Sequence, residues 1–131
     1  MKNILATIIL ALSPIAALPQ NVIYTATDSI MIENILQHST GEGRTVTGER
    51  IIAIANEFIG EKYIGGTLEQ GADEPLFISC TKLDCTTFVE LVLAIAKTAS
   101  DNSCKFIDVC HNLETIRYRN GKNKGYTSRL H

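Results

Sequence analysis

The sequence predicts an α+β fold in which helices dominate and strands are few. Apolar residues recur at helical spacing in three stretches: Ile51, Ile52, Ile54, Ala55, Phe58 and Ile59; then residues 85 to 98; then Phe106, Val109, Cys110, Leu113 and Ile116. Extended character is confined to "NVIYTATD" after residue 20 and to Leu76–Ile78, and almost no strand-forming sequence follows residue 98. A chain of 131 residues with 45% hydrophobic and 20% charged residues has one globular core and no room for two.

The first element is a leader. Met1-Lys2-Asn3 is a short positive start, and Ile4 to Ala17 is an apolar run broken by Thr7, Ser13 and Pro14, with small residues at its end for cleavage. The run is too short and too interrupted for a membrane span. Residues 1–17 are therefore expected to be a signal peptide, and the mature chain to be periplasmic or secreted, with no stable membrane span after processing. Loss of Lys2 with the leader takes the formal charge from −2 to −3, which gives no global attraction for nucleic acid.

Beyond the leader, Asp28 or Ser29 is placed to cap a short helix carrying Ile30, Ile32, Ile35 and Leu36. "STGEGRTVTGE" is a loop by composition, after which Thr47 caps the second helix and Gly60 stops it. The segment from Glu61 to Ser79 carries Gly65-Gly66, Gly71 and Pro75 and reads as loop around the short extended piece. The helix of residues 85 to 98 is apolar on nearly every side, the mark of a buried central helix. Asn102 or Ser103 is expected to cap the last helix, and Asn120-Gly121 to turn the polar tail that follows.

Four cysteines in an exported chain invite disulfides, but none forms a CxxC pair, so no zinc site or other metal centre is expected. Cys104 and Cys110 read as lying on one helix, nearly two turns apart, too far to bridge without distortion. Cys85 stands apart because it opens the buried helix. There the positive end of the helix dipole and free N–H groups favour a thiolate, with Asp84 as N-cap and the small Thr86 and Thr87 leaving room for a carbonyl. A cysteine in that position serves equally well as a buried wall residue.

"YIGG" at 63–66 followed by "LDCTTFVE" at 83–90 resembles the NlpC-type papain-like cysteine peptidases. The fuller string "FIGEKYIGGTLE…LDCTTFVELVLAIA…IRYRNGKNKGYTSRLH", from about Ile51 to the last residue, is similar to the N-acetylmuramoyl-L-alanine amidase-like branch of that superfamily. The resemblance implies a papain-like fold of which residues 18–131 are the N-terminal part of a single domain, mainly helical, with most of the core sheet missing. It implies Cys85 as nucleophile. Tyr63, Asp84, Tyr118, Ser128, Arg129 and His131 follow as substrate-binding residues, the last three within a "YTSRLH" loop.

The reaction so implied is cleavage of the amide between N-acetylmuramic acid, in its 1,6-anhydro form, and L-Ala, through an oxyanion and an acyl-enzyme. Muropeptides are the expected partners, and no cofactor is implied. A thiol of this kind needs a histidine to shuttle the proton. The chain has His38, His111 and His131 only, whereas the relatives carry theirs on a later strand, so the resemblance also implies truncation.

The tail from Arg117 to Arg129 holds five cations and no acid, with Tyr118 and Tyr126 among them. Such a stretch suits single-stranded nucleic acid, but the leader argues for the carboxylates of stem peptides instead, with Arg129 the best placed for a bidentate contact. Glu69 and Glu90 also fall within the motifs and are given no catalytic role. A stem-peptide endopeptidase and a non-catalytic wall-binding module are the competing readings.

Overall fold

The computed structural model describes residues 17–19, 21–41, 43, 45–69 and 73–131; the expected leader lies, apart from Ala17, outside them. In chain order the elements are β1 (Val22–Ile23), α1 (Ala26–Ser39), α2 (Gly48–Asn56), β2 (Leu76–Phe77), α3 (Cys85–Ser100) and α4 (Phe106–Arg117), then two 3-10 turns at Arg119–Gly121 and Tyr126–Ser128. The class is α+β with helix prevailing, as the periodicity predicts.

α3 is the central element. It packs against α4, α2 and α1, and Leu91, Val92, Ala94, Ile95, Ala96 and Ala99 are all buried. Burial is not all-round, however: Val89, one turn after Cys85, is 52% exposed. The outward face of α3 is therefore the face that starts with the thiol.

β1 and β2 pair in parallel, Val22 with Leu76 and Ile23 with Phe77. Backbone bonds from Leu76 N–H to the Asn21 carbonyl and from Ile78 N–H to the Ile23 carbonyl, both 2.9 Å, complete the ladder. Only two residues of "NVIYTATD" take part, because Thr25 already caps α1.

Two helix starts differ from expectation. α1 begins earlier than Asp28 or Ser29 would allow: Thr25 is its N-cap, and Asp28 is the N3 partner of a capping box, accepting from Thr25 N–H at 2.9 Å. Asp28 is buried, and its second oxygen accepts the Cys80 backbone N–H at 2.7 Å, so a cap on α1 also holds the approach to α3. α4 starts after Lys105, which provides no side-chain cap; Asn102 is left-handed (φ 61°) and Ser103 instead donates to Asp108 inside the first turn. Cys104 thus precedes α4 rather than sharing it with Cys110.

α2 has the expected Thr47 cap, its hydroxyl accepting from Arg50 N–H at 3.1 Å. Its helical hydrogen bonding stops at Asn56, and turns carry the chain to Gly60 at φ 98°. Asn120-Gly121 makes the predicted turn with both residues left-handed (φ 56° and 64°). A Cβ on Gly121 would also sit 3.2 Å from Thr115 Oγ1, so glycine is needed there twice over.

Candidate active site

Cys85 is the first residue of α3, exposed, and free of any disulfide. Its placement begins with Asp84. One carboxylate oxygen of Asp84 accepts from Thr86 N–H (3.0 Å), Thr87 N–H (2.8 Å) and Thr87 Oγ1 (2.9 Å), while Thr87 Oγ1 in turn accepts from Asp84 N–H (2.9 Å). Partial burial pushes the Asp84 carboxyl up, but these hydrogen bonds and the nearby Arg117 charge prevail and hold it below the usual carboxylate range. The helix start is therefore locked in place. Thr87 is buried and its hydroxyl is committed to this cap, whereas Thr86 Oγ1 lies 3.9 Å from the Cys85 sulfur.

The second wall comes from the "YIGG" segment. Tyr63 and Leu83 form an isolated parallel bridge, with Ile64 N–H bonded to the Leu83 carbonyl at 2.9 Å. Tyr63 and Cys85, 22 residues apart in sequence, are thereby brought to the same cleft. That cleft has a volume of about 190 Å³ and is lined by Phe58, Glu61, Lys62, Tyr63, Leu83, Asp84, Cys85 and Phe88. Tyr63 is 72% exposed, and Phe58 packs edge-on against Phe88 beneath it. Glu61 and Lys62 fall within the "FIGEKYIGGTLE" string of the resemblance, which gave neither a role.

The remaining cysteines are separated by environment. Burial pushes the Cys80 thiol up to about 12, helped by the charge and hydrogen bond of Asp28, and burial pushes Cys110 up to about 12 as well. Cys104 is exposed and lies 3.6 Å from Thr40 Oγ1.

Other expected site residues lie away from the thiol cleft and are spent within the fold. Arg129 makes a bidentate pair with Glu74 (Nε and one terminal nitrogen, both 2.8 Å) and donates to the Leu68 carbonyl at 3.0 Å, largely buried. Its fork is already filled, so the reading of Arg129 as a free bidentate contact for a ligand does not fit this geometry. Tyr118 is buried and donates to Glu74 at 3.3 Å, its phenol pushed up to about 12 chiefly by burial. Ser128 is buried and braces the tail turn between Lys124 N–H and the Gly125 carbonyl.

Glu90 and Arg117 form a second buried ion pair. Arg117 Nε and a terminal nitrogen lie 2.9 Å from one Glu90 oxygen, and the other terminal nitrogen donates to the Phe77 carbonyl at 2.8 Å. The second Glu90 oxygen lies 2.9 Å from His131 Nε2, in ion-pair range but outside hydrogen-bond alignment. His131 thus meets α3 at the buried Glu90, outside the lining of the cleft that holds Cys85. His38 is exposed on α1 and bonds the Asn34 carbonyl, and His111 is exposed on α4. None of the three histidines lines the thiol cleft.

The fold and site together define a helix-dominated α+β domain that presents an exposed thiol at the capped start of its central helix, within an aromatic cleft. The sequence model of the family described as AmiA-like, N-acetylmuramoyl-L-alanine amidase-like, matches residues 53–131, and the chain belongs to that family. A crystal structure of an N-acetylmuramoyl-L-alanine amidase from Bacteroides uniformis is similar at 42% identity and a TM-score of 0.59, over 64% of this chain and 35% of that one. A second structure of an amidase from the same organism gives 40% identity and a TM-score of 0.60, over 64% and 34%. A Bacteroides fragilis structure described as a proposed xylanase is similar at 46% identity and a TM-score of 0.56, over 60% and 34%. The chain spans about a third of the length of these structures. None of the curated proteins compared with the chain matches it.

Proposed function

We propose that this chain supplies the nucleophile-bearing part of an exported, cysteine-dependent amidase of papain-like, NlpC-type fold, cutting the bond between (1,6-anhydro-)N-acetylmuramic acid and L-Ala. The observation that carries the reading is the exposed Cys85 at the first turn of α3, facing Tyr63 across one cleft. Membership of an amidase-like family supports peptidoglycan as the substrate class. Action outside the cytoplasm follows from that substrate and from the leader-like residues 1–17; among the described residues no helix is long and apolar enough to cross a membrane.

In this mechanism the Cys85 thiolate attacks the lactyl carbonyl carbon, and the C–N bond to L-Ala breaks from the tetrahedral intermediate as the departing amine takes a proton from a histidine general acid that the lining of this cleft does not supply, which leaves an acyl-enzyme. Water then releases the muramic acid. Asp84 and Thr87 fix the helix start; because Thr86 and Thr87 N–H are bonded to the Asp84 carboxylate and Phe88 N–H to the Asp84 carbonyl, Cys85 N–H is the first-turn donor that can meet the oxyanion. Tyr63 covers the ligand side of the cleft.

The test is release of stem peptide from an anhydro-muramoyl tripeptide by the full-length protein. Turnover that is lost on Cys85→Ser supports the reading; turnover unaffected by that change overturns it. The absence of a histidine from the cleft favours a second reading, a wall-binding module that keeps one wall of an enzyme's cleft without its proton shuttle. Binding of muramoyl peptides with no turnover by the full-length protein would select that alternative.

A further inference from the structure

Of the five cations between Arg117 and Arg129, the fold consumes two: Arg117 is paired with Glu90 and Arg129 with Glu74. Arg119, Lys122 and Lys124 are exposed and have no acidic partner among the described residues. All three line a single cleft of about 230 Å³, together with Asn120, Thr127 and Ser128. Like charges gathered on the wall of a cleft that no acid lines repel one another, and a bound anion relieves that repulsion.

The loop that holds them is built rather than slack. Lys124 N–H donates to Ser128 Oγ at 2.9 Å, Gly125 N–H to Asn123 Oδ1 at 3.0 Å, and Asn123 N–H to Glu114 at 3.2 Å. Left-handed Asn120, Gly121 and Gly125 set the turns between them. Lys122 and Lys124 also border a wider cleft of about 630 Å³ that contains Asp73, Glu74 and Glu114. Glu74 is paired there with Arg129 and Glu114 accepts Asn123 N–H, while Asp73 stays on that wider side; no acid lines the 230 Å³ cleft, which is therefore the cationic side of the loop.

We propose that Arg119, Lys122 and Lys124 form a binding site for the carboxylates of a peptide, separate from the thiol cleft, with which it shares no lining residue. Arg119 offers a planar fork for one carboxylate, and the two lysines act as point charges for a second. The exposed Thr127 hydroxyl is available to either. That the anion is a peptide rests on the function proposed above; the cation cluster does not.

The experiment is calorimetric titration of the Cys85→Ser chain with a muramoyl tripeptide bearing free carboxylates, and with the same tripeptide amidated at those carboxylates. Arg119→Gln/Lys122→Gln/Lys124→Gln and amidation are each expected to weaken binding about tenfold, with little further loss when combined, because both remove the same charge contacts. Lys122→Arg/Lys124→Arg, which keeps the charge, should bind within about twofold of the parent, and far-ultraviolet dichroism checks that every variant is folded. Equal binding by the triple-Gln variant overturns the site. So does an oligothymidylate that binds more tightly than the peptide through the same three residues. Turnover by full-length protein with no effect of the triple variant on binding leaves the amidase reading standing and removes this site; charge-dependent binding without turnover does the reverse.

Discussion

Solvent reaches two thiols in this protein, Cys85 and Cys104; Cys85 lies in the first turn of its helix, whereas Cys104 stands outside α4, before its N-cap. Cys85 is therefore expected to react first with a limiting amount of iodoacetamide at pH 7, Cys104 more slowly, and Cys80 and Cys110 only after denaturation. Peptide mapping by mass spectrometry reads the order; faster modification of Cys104 would remove the helix start as the activating feature. Asp84 gives a second residue-scale expectation. Its carboxyl is held low in the folded state, so its contribution is present above the unfolded carboxylate value of about 3.9 and is lost as pH falls through the lowered folded value. Asp84→Asn keeps a good cap that does not titrate in this range. The stability gap between wild type and Asp84→Asn should thus be constant from pH 7 to about pH 5 and shift only at more acid pH, as followed by urea midpoints. A gap that changes between pH 6 and 7 would mean another group is responsible.

At the scale of the elements, α3 is joined to the rest by a buried ion pair as well as by apolar packing. Glu90→Gln leaves the Arg117 guanidinium buried with its charge uncompensated, at an expected cost of about 3–5 kcal/mol, whereas Glu90→Leu combined with Arg117→Met should recover most of it. Denaturant unfolding of Glu90→Leu, of Arg117→Met and of the double variant tests the coupling, and additive losses would count against it. What the sequence made legible here was local. The Thr47 and Asp84 caps, the turn at Asn120-Gly121 and the burial of α3 follow from residue type and spacing, which short-range hydrogen bonds and the helical period enforce. What it hid was long-range. Glu90 meets Arg117 across 27 positions and Glu74 meets Arg129 across 55, and nothing in a linear pattern says that a glutamate beside a proline will close on an arginine near the last residue. The same blindness made Arg129, Tyr118 and Ser128 look available when the fold had already used their polar groups. The α1 and α4 starts were misread for a related reason: Asp28 and Ser103 are cap-forming residue types, but each bonds forward or backward to a partner that decides the actual boundary.

Considered whole, the molecule has a placed thiol and no histidine within its cleft. A thiolate alone cannot protonate the departing amine, and without that proton the tetrahedral intermediate reverts. The 131-residue chain is accordingly expected to show no release of stem peptide from anhydro-muramoyl tripeptide above the uncatalysed rate, while still being alkylated at Cys85. Robust turnover abolished by His131→Ala would show that the tail swings from Glu90 to the thiol. The family resemblance in the sequence had pointed to Cys85 and Tyr63, and the Tyr63–Leu83 bridge brings both to one cleft. It could not indicate the three exposed cations of the tail, because sequence alone does not separate charges that the fold neutralises from charges that it leaves outside.

The clasp made by Arg129 has a further consequence for how the chain tolerates change. Its guanidinium holds the Leu68 carbonyl with one nitrogen and the Glu74 carboxylate with two, so the ends of the intervening segment are pinned to a common point. A segment closed in this way is thermodynamically insulated from its surroundings: lengthening it adds only loop-closure entropy, about 0.6 kcal/mol for each doubling. Five Gly/Ser residues inserted between Glu69 and Asp73 should therefore lower stability by less than about 1 kcal/mol and leave the alkylation rate of Cys85 unchanged. The same insertion in an Arg129→Gln background should cost more, since the unpinned segment then pulls on Glu74 and, through it, on β2. Thermal unfolding of the four chains separates the cases, and an equal penalty in both backgrounds would show that the clasp insulates nothing.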